Sequence, residues 1–245
     1  MDFSYDSFTV VDIETTGLDP KKDKITEIAA VKVEEGKIAD TFHVLVNPGR
    51  KLDERITELT GLTDEALAKA PFIEEVIGDF LDFETTDCLM GHSILFDYSF
   101  LKRAAVNAGR SFEKTGIDTL AISRKCLSGL ESRSLPFLCR YFNIPHRAHR
   151  ALSDVEATFR LYQILKEQFG GAQEAEKVFM KKPLVYQVKK ESPVTKKQIE
   201  QLQRFLSYYH IDSAYNIERM TKNEASRYLD RLISSYGRIP PRNGG

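Results

Sequence analysis

The stretch TVVDIETTGLDP, residues 9–20, places two acids inside an apolar run and then stops abruptly in a turn. Val and Thr favour an extended chain, so FTVVDIE reads as a strand. Side chains alternate faces along a strand, which puts Asp12 and Glu14 on one face with Phe8 and Val10. Thr9, Val11 and Ile13 take the other face. At a rise of about 3.3 Å per residue the two acid Cβ atoms stand roughly 6.6 Å apart. That spacing suits two carboxylates converging on one hard cation; taken alone, it equally suits solvated acids on an edge strand. The polar switch comes at the strand's C-terminal end, where α/β sheets place their sites.

Outward from this strand, KITEIAAVKVEEG and GKIADTFHVLVNP read as two further strands joined by a turn at Glu35-Gly36. Helical patterns follow. TDEALAKAP has Thr63 as N-cap, with Pro71 just past its end, and IEEVIGDFLDF puts Ile73, Val76, Ile77, Phe80 and Leu81 on one face. DCLMGH reads as a short buried strand, DYSFLKRAAVNAG as a helix stopped by Gly109, and SLPFLCRYFNIP as a short helix ended by Asn143 and Pro145. SDVEATFRLYQILKEQFGG is the best helix of the chain. Ser153 and Glu156 are expected to form a capping box, and Val155, Phe159, Tyr162, Leu165 and Phe169 share a face.

Strands first, then mixed elements, then a long helix define an α/β or α+β domain over residues 1–171. Residues 172–194, lysine-rich and containing Pro183 and Pro193, read as a linker. Residues 195–238 read as a small helical module whose two helices open with the capping boxes Thr195/Gln198 and Thr221/Glu224. The tail at 239–245 is expected to be disordered.

At 245 residues and 42 % apolar content the chain can bury a sizeable core without disulfides. Cys88, Cys126 and Cys139 form no CxxC pair, which argues against a zinc site or a disulfide framework. MDFSYDSF lacks an apolar signal segment and no run approaches about 18 apolar residues, so a soluble, reduced, cytoplasmic protein with no membrane partner is expected. The net charge of −1 hides an asymmetry. Residues 171–245 carry 14 Lys and Arg against 8 acids; taken from chain totals of 35 and 36, this leaves 21 against 28 in residues 1–170. A basic tail on an acidic body points to a polyanionic partner for the tail, or simply to a solvated helical surface.

Two later segments add acids to the first pair. GHSILFDYSFLKRA places Asp97 at the opening of a helix, after a buried strand and a polar turn. HRALSDVEAT places Asp154 at a helix start, with His149 five residues earlier on the preceding loop. Each has a plain reading alone, Asp154 as a helix-dipole partner and His149 as a surface histidine.

Together, DIETTG, GHSILFD and HRALSD resemble the three ordered motifs of the DnaQ-like (DEDDh) 3′-to-5′ exonuclease family. That family includes the ε subunit of DNA polymerase III, the exonuclease domain of the Gram-positive replicative polymerase, RNase T and oligoribonuclease. The resemblance covers roughly residues 5–170, and ITELTGLTDEAL is similar to the family's segment between the first two motifs. Ser93 departs from the Asn frequent in the family's GHN turn. The resemblance implies an RNase H-like mixed β-sheet flanked by helices. It also implies two divalent cations, Mg²⁺ or Mn²⁺, held by Asp12, Glu14, Asp97 and Asp154, with His149 as general base. A sister subfamily uses Tyr at shorter spacing; the His here indicates the His type.

In the turn, the backbone of Thr15, Thr16 and Gly17 is expected to meet the 3′-terminal nucleotide, with Leu18 wedged against its base. The resemblance adds Thr60, His92 and Phe96 to that pocket; otherwise Thr60-Gly61 is a plain turn and Phe96 a core ring. The expected partner is the 3′ end of a single-stranded nucleic acid, DNA favoured over RNA, with a polymerase or repair partner in trans. An RNA exonuclease of the RNase T or oligoribonuclease type is the alternative, since rejection of a 2′-OH depends on pocket shape. A non-catalytic binder ranks below both because all five catalytic residue types are present. Tyr208, Tyr209, Tyr215, Tyr228 and Tyr236 suit base stacking or, more simply, helix packing.

Overall fold

The computed structural model describes residues 7–171 and 176–240, in two units: residues 1–48 with 52–188, and residues 49–51 with 189–245. The larger unit is a six-stranded mixed sheet in the order β3-β2-β1-β4-β5-β6. β1 (Phe8–Thr15), β2 (Ile25–Glu34) and β3 (Lys37–Leu45) form an antiparallel meander. β4 (Cys88–Gly91) and β5 (Thr115–Asp118) run parallel to β1. β1 is therefore central, which disposes of the edge-strand reading of its acids.

Alternation along β1 separates two cores. Phe8 and Val10 pack with Val155, Phe159, Tyr162 and Leu165 of the long helix α7 (Ala151–Phe169). Val11 and Ile13 pack with Val76, Ile77 and Phe80 of α3 (Ile73–Phe83) and with Tyr98 and Leu101 of α4 (Ile94–Asn107). Helices thus cover both faces of the sheet, and the acid-bearing face of β1 looks toward α7. Between β3 and α3 lie α1 (Glu54–Thr60) and α2 (Asp64–Ala68), the latter capped by Thr63 as its sequence indicates. α1 and the β5-α5 segment, with α5 at Thr119–Cys126, escaped the sequence reading because four to eight residues show too little periodicity. α6 (Leu135–Phe142) ends in Asn143 at φ 55°, a left-handed stop that Asn tolerates well.

One expectation about α7 is overturned. The helix starts at Ala151, three residues before Asp154, and its N-cap is Arg150. Ser153 is no cap: its hydroxyl accepts from the Arg147 backbone N–H at 2.8 Å. The end is closed instead by the Asp154 carboxylate, whose Oδ2 accepts from the Arg150 N–H at 3.0 Å. The Ser-x-x-Glu pattern is present, but the helix has already begun at Ala151, so Ser153 and Glu156 lie inside it and the charged Asp154 side chain accepts from the free N–H of Arg150 at its start.

The segment expected to be a linker is divided. Residues 172–175 lie outside the described residues, α8 covers Glu176–Phe179, and β6 (Lys182–Pro183) pairs antiparallel with β5. Leu184 packs over Gly116, where an added Cβ would meet its methyls at 2.6 Å. A two-residue strand containing proline is tolerated at a sheet edge, which is why its composition reads as a connector.

The smaller unit is built on α9 (Lys196–Tyr209) and α10 (Lys222–Tyr236), both opened by the capping boxes read from the sequence. Its core holds Leu202, Phe205, Leu206, Met220, Ala225, Tyr228 and Leu232, with Tyr209 and Tyr215 packed against it. Packing thus accounts for three of the five tyrosines, while Tyr208 and Tyr236 are about half exposed. Ile239 also packs on this core, and residues 241–245 of the tail lie outside the described residues. Cys88, Cys126 and Cys139 form no disulfide, and no helix among the described residues is long and apolar enough to cross a membrane.

Candidate active site

Three elements bring the acids together. Asp12 and Glu14 project from the end of β1, and Asp154 from the first turn of α7. One ligand oxygen from each lies within 4.8 Å of the others. Asp97, in the first turn of α4, is buried and its Oδ1 accepts from the Ile13 backbone N–H at 3.1 Å, which ties it beside Asp12.

The cost of this convergence appears in the protonation of the acids. Burial raises Asp12 well above the usual carboxylate range, and the charges of Asp97, Asp154, Glu14 and Glu27 raise it further. Glu14 is pushed up from 4.5 to about 8, first by burial and then by Asp154, Glu27 and Asp97; Arg150 pulls it back down. Asp97 reaches about 8, again chiefly through burial, against the lowering effect of the Ile13 N–H and its own backbone N–H. Carboxylates crowded this closely without a cation oppose their own ionisation. A hard divalent cation removes that penalty, and an all-oxygen donor set with partly exposed ligands fits Mg²⁺ or Mn²⁺. Asp12, Glu14 and Asp154 converge closely enough to hold it, with Asp97 buried beside them.

His149 lies on the loop just before α7 in a left-handed conformation, φ 60°, and makes no hydrogen bond with the described residues. On this loop the histidine that reaches an acid is His146, three residues earlier. Its Nε2 is 2.7 Å from Asp154 Oδ1, and both side chains are largely buried. PHRAHRALSD contains both histidines, and spacing along the chain gives no reason to choose His146. Glu27 was also missed. It is fully buried on β2, directly opposite Glu14, and its Oε1 is 2.7 Å from His43 Nε2. One acid inside the apolar run ITEIAAVKV is as unusual as Asp12 in its own strand, but only the strand register sets it opposite Glu14.

The turn after β1 is clamped by a side chain the sequence does not single out. Asp23 accepts from the Asp19 N–H at 2.9 Å and from the Thr16 hydroxyl at 3.4 Å, while the Thr15 hydroxyl donates to the Gly17 carbonyl at 2.6 Å. A Cβ on Gly17 would meet the Asp23 carboxylate at 2.5 Å, so this glycine makes room for Asp23. Gly17→Ala would push the Asp23 carboxylate aside and is expected to cost about 1 kcal/mol through its lost hydrogen bonds to Asp19 and Thr16, as read by denaturant unfolding. Leu18 stands 84 % exposed at the tip of the turn.

The remaining pocket residues carry structural duties. The Thr60 hydroxyl donates to the Ile56 carbonyl and accepts from the Leu62 N–H. His92 bonds Arg133's carbonyl oxygen through Nε2, which makes Nε2 the protonated nitrogen, and Nδ1 meets the Thr119 hydroxyl. Burial lowers the His92 pKa, in keeping with that neutral ring. Phe96 is half-buried against Phe100, ring centroids 5.1 Å apart. Ser93 holds φ 83°, a left-handed conformation that Asn adopts more readily than Ser.

A family model described as Exonuclease (RNase_T) matches residues 9–162, spanning all four acids and His149. The chain belongs to this exonuclease family. A DNA polymerase III PolC-type of Thermotoga maritima is 34 % identical over 237 residues, covering 93 % of this chain and 17 % of that protein. The DNA polymerase III subunit epsilon of Aquifex aeolicus is 37 % identical over 164 residues, 66 % of this chain and 81 % of its own length. The chain thus spans under a fifth of the PolC-type relative but corresponds to most of an epsilon subunit. Among solved structures, Exonuclease X in complex with 5′ overhanging duplex DNA superposes with a TM-score of 0.56 at 25 % identity, over 71 % of this chain and 99 % of that one. E. coli Exonuclease I in complex with a dT13 oligonucleotide gives 0.61 at 20 % identity, over 66 % and 41 %. Exonuclease I at this identity speaks to the fold: a mixed sheet flanked by helices, of the RNase H-like kind.

Proposed function

We propose that the chain is a metal-dependent 3′-to-5′ exonuclease of the DEDDh type, releasing nucleoside monophosphates from single-stranded DNA ends. The observation that carries this reading is the meeting of Asp12, Glu14 and Asp154 within 4.8 Å, with buried Asp97 beside Asp12. Bound there, two divalent cations would activate a water and offset the charge of the phosphodiester and its leaving 3′ oxygen. The protein's own share is positional. β1 presents Asp12 and Glu14 from a rigid central strand, and the Ile13 N–H orients Asp97. The Arg150 N–H and His146 orient Asp154. His149, on the loop before α7 and with no hydrogen bond to the described residues, is assigned the role of accepting the proton of the attacking water on an imidazole nitrogen. Leu18, bare at the turn, meets the terminal base.

DNA is favoured over RNA on the names of the relatives, which are DNA polymerase III proteins, and on the DNA bound in the neighbouring Exonuclease X structure. A DNA polymerase partner is assigned from the same relatives. The test presents 5′-labelled single-stranded DNA and RNA of one sequence to the protein with Mg²⁺ or Mn²⁺. A ladder shortening from the 3′ end on DNA supports the reading. A ladder on RNA alone moves it to the RNase T type, and binding without cleavage removes the enzyme.

The helical module is assigned the task of retaining nucleic acid, because residues 171–245 carry the positive charge that the acidic remainder lacks. Since β6 and Leu184 complete the sheet, truncation belongs after Val188. Removing residues 189–245 is expected to weaken binding of single-stranded DNA and flatten its dependence on salt, measured by fluorescence anisotropy between 50 and 200 mM salt. Equal affinity and equal slope would leave the module with packing alone.

A further inference from the structure

Glu27 is an anomaly in its own strand. Apart from Thr26, β2 is otherwise apolar where it is buried, and a leucine would serve the core better than a fully buried carboxylate. Its Oε1 meets His43 Nε2 at 2.7 Å on β3 and Arg150 at 3.9 Å through a terminal guanidinium nitrogen. Its Oε2 is buried with no hydrogen-bond partner, as is Nε of Arg150. A half-made ion pair therefore stands between β2 and the start of α7.

Arg150 joins that pair to the acids. Its backbone N–H donates to Asp154 Oδ2 at 3.0 Å, its carbonyl accepts from the Asp154 N–H at 3.0 Å, and its chain neighbour is His149. Glu14 lies directly opposite Glu27 across β1 and β2, so the guanidinium also faces a second carboxylate. Its charge favours the ionised form of Glu14, against the effect of Glu27.

We infer that Arg150 is a positioning residue for the nuclease reaction, anchored on Glu27 and His43, holding Asp154 and the His149 loop against β2 while offsetting the Glu14–Glu27 repulsion. The inference rests on the exonuclease reading of the carboxylate site. Arginine suits the task because it stays charged and its planar fork can engage two carboxylate oxygens, which lysine's point charge cannot.

The test uses the full chain with Arg150→Gln, Arg150→Lys, Glu27→Gln and the Glu27→Gln/Arg150→Gln pair. Three readouts are taken: kcat and KM on labelled single-stranded DNA, Mn²⁺ binding by calorimetry without nucleic acid, and melting temperature. Arg150→Gln is expected to lower kcat by about 10- to 100-fold, the scale of a misplacement near 1 Å, with KM little changed. Arg150→Lys should recover only part of that loss. Mn²⁺ should bind Arg150→Gln more tightly, a cation having left the site, and Glu27→Gln more weakly, an anion having left. The paired variant should be more stable and more active than Arg150→Gln, because Glu27 no longer keeps a buried charge deprived of its cation. If Arg150→Gln does not fold, Arg150→Lys and Glu27→Gln carry the same comparison of kcat and Mn²⁺ affinity. Purely additive losses with unchanged Mn²⁺ affinity in an active protein overturn the inference alone. A wild-type protein that cleaves neither DNA nor RNA overturns it together with the exonuclease reading.

Discussion

Asp12→Asn is expected to lower metal-dependent cleavage of single-stranded DNA by about 10³-fold or more, equivalent to roughly 4 kcal/mol of lost transition-state stabilisation. The same change is expected to stabilise the metal-free protein. The surroundings of Asp12 oppose its ionisation, by burial first and then by four other carboxylates. Neutralising it without changing its shape removes that repulsion. At slightly alkaline pH in a chelator, the melting temperature should rise by about 2–4 °C for each kcal/mol relieved. Activity and stability thus move in opposite directions. Calorimetric melting beside the nuclease assay checks both, and a variant that is less stable and fully active would return Asp12 to an ordinary structural role.

The second large effect is on stability against pH in the absence of metal. Glu14 titrates at about 8 in the folded protein against 4.5 ordinarily, with Asp97 also at about 8 against 3.8. Folded protein therefore keeps protons that the unfolded chain has released, and stability must fall as pH rises. The contribution is fully present below about pH 4 and is lost progressively as pH climbs through 8. For Glu14 alone the loss at pH 7 is on the order of 3 kcal/mol as an upper value, since solvent reaches part of this side chain. Mg²⁺ replaces these protons, so its stabilisation should widen with pH and its binding should release protons. Melting curves at pH 5.5, 7.0 and 8.5, with chelator or with saturating Mg²⁺, measure the gap. Parallel curves would mean that the four acids do not share a cation.

Much of this was legible locally. The alternation in FTVVDIE placed Asp12 and Glu14 on one face, and the structure divides the side chains of β1 between the same two faces. The capping boxes at Thr195 and Thr221 form because donor and acceptor lie within four residues of each other. The family pattern in three motifs was likewise a property of the chain alone, and the family model spans all of them.

Tertiary structure decided the rest wherever a residue's role depends on something distant in sequence. The start of α7 moved to Ala151 because Asp154 turns back to the Arg150 N–H, which no reading of Ser153 and Glu156 in isolation foresees. Gly17 answers to Asp23, whose position is set by the loop into β2. Glu27 becomes part of the site only when the antiparallel register sets it opposite Glu14. Periodicity and caps are short-range and are written in neighbouring residues. Charge coupling and strand register act across tens of residues, through a low-dielectric interior that exists only once the chain has folded.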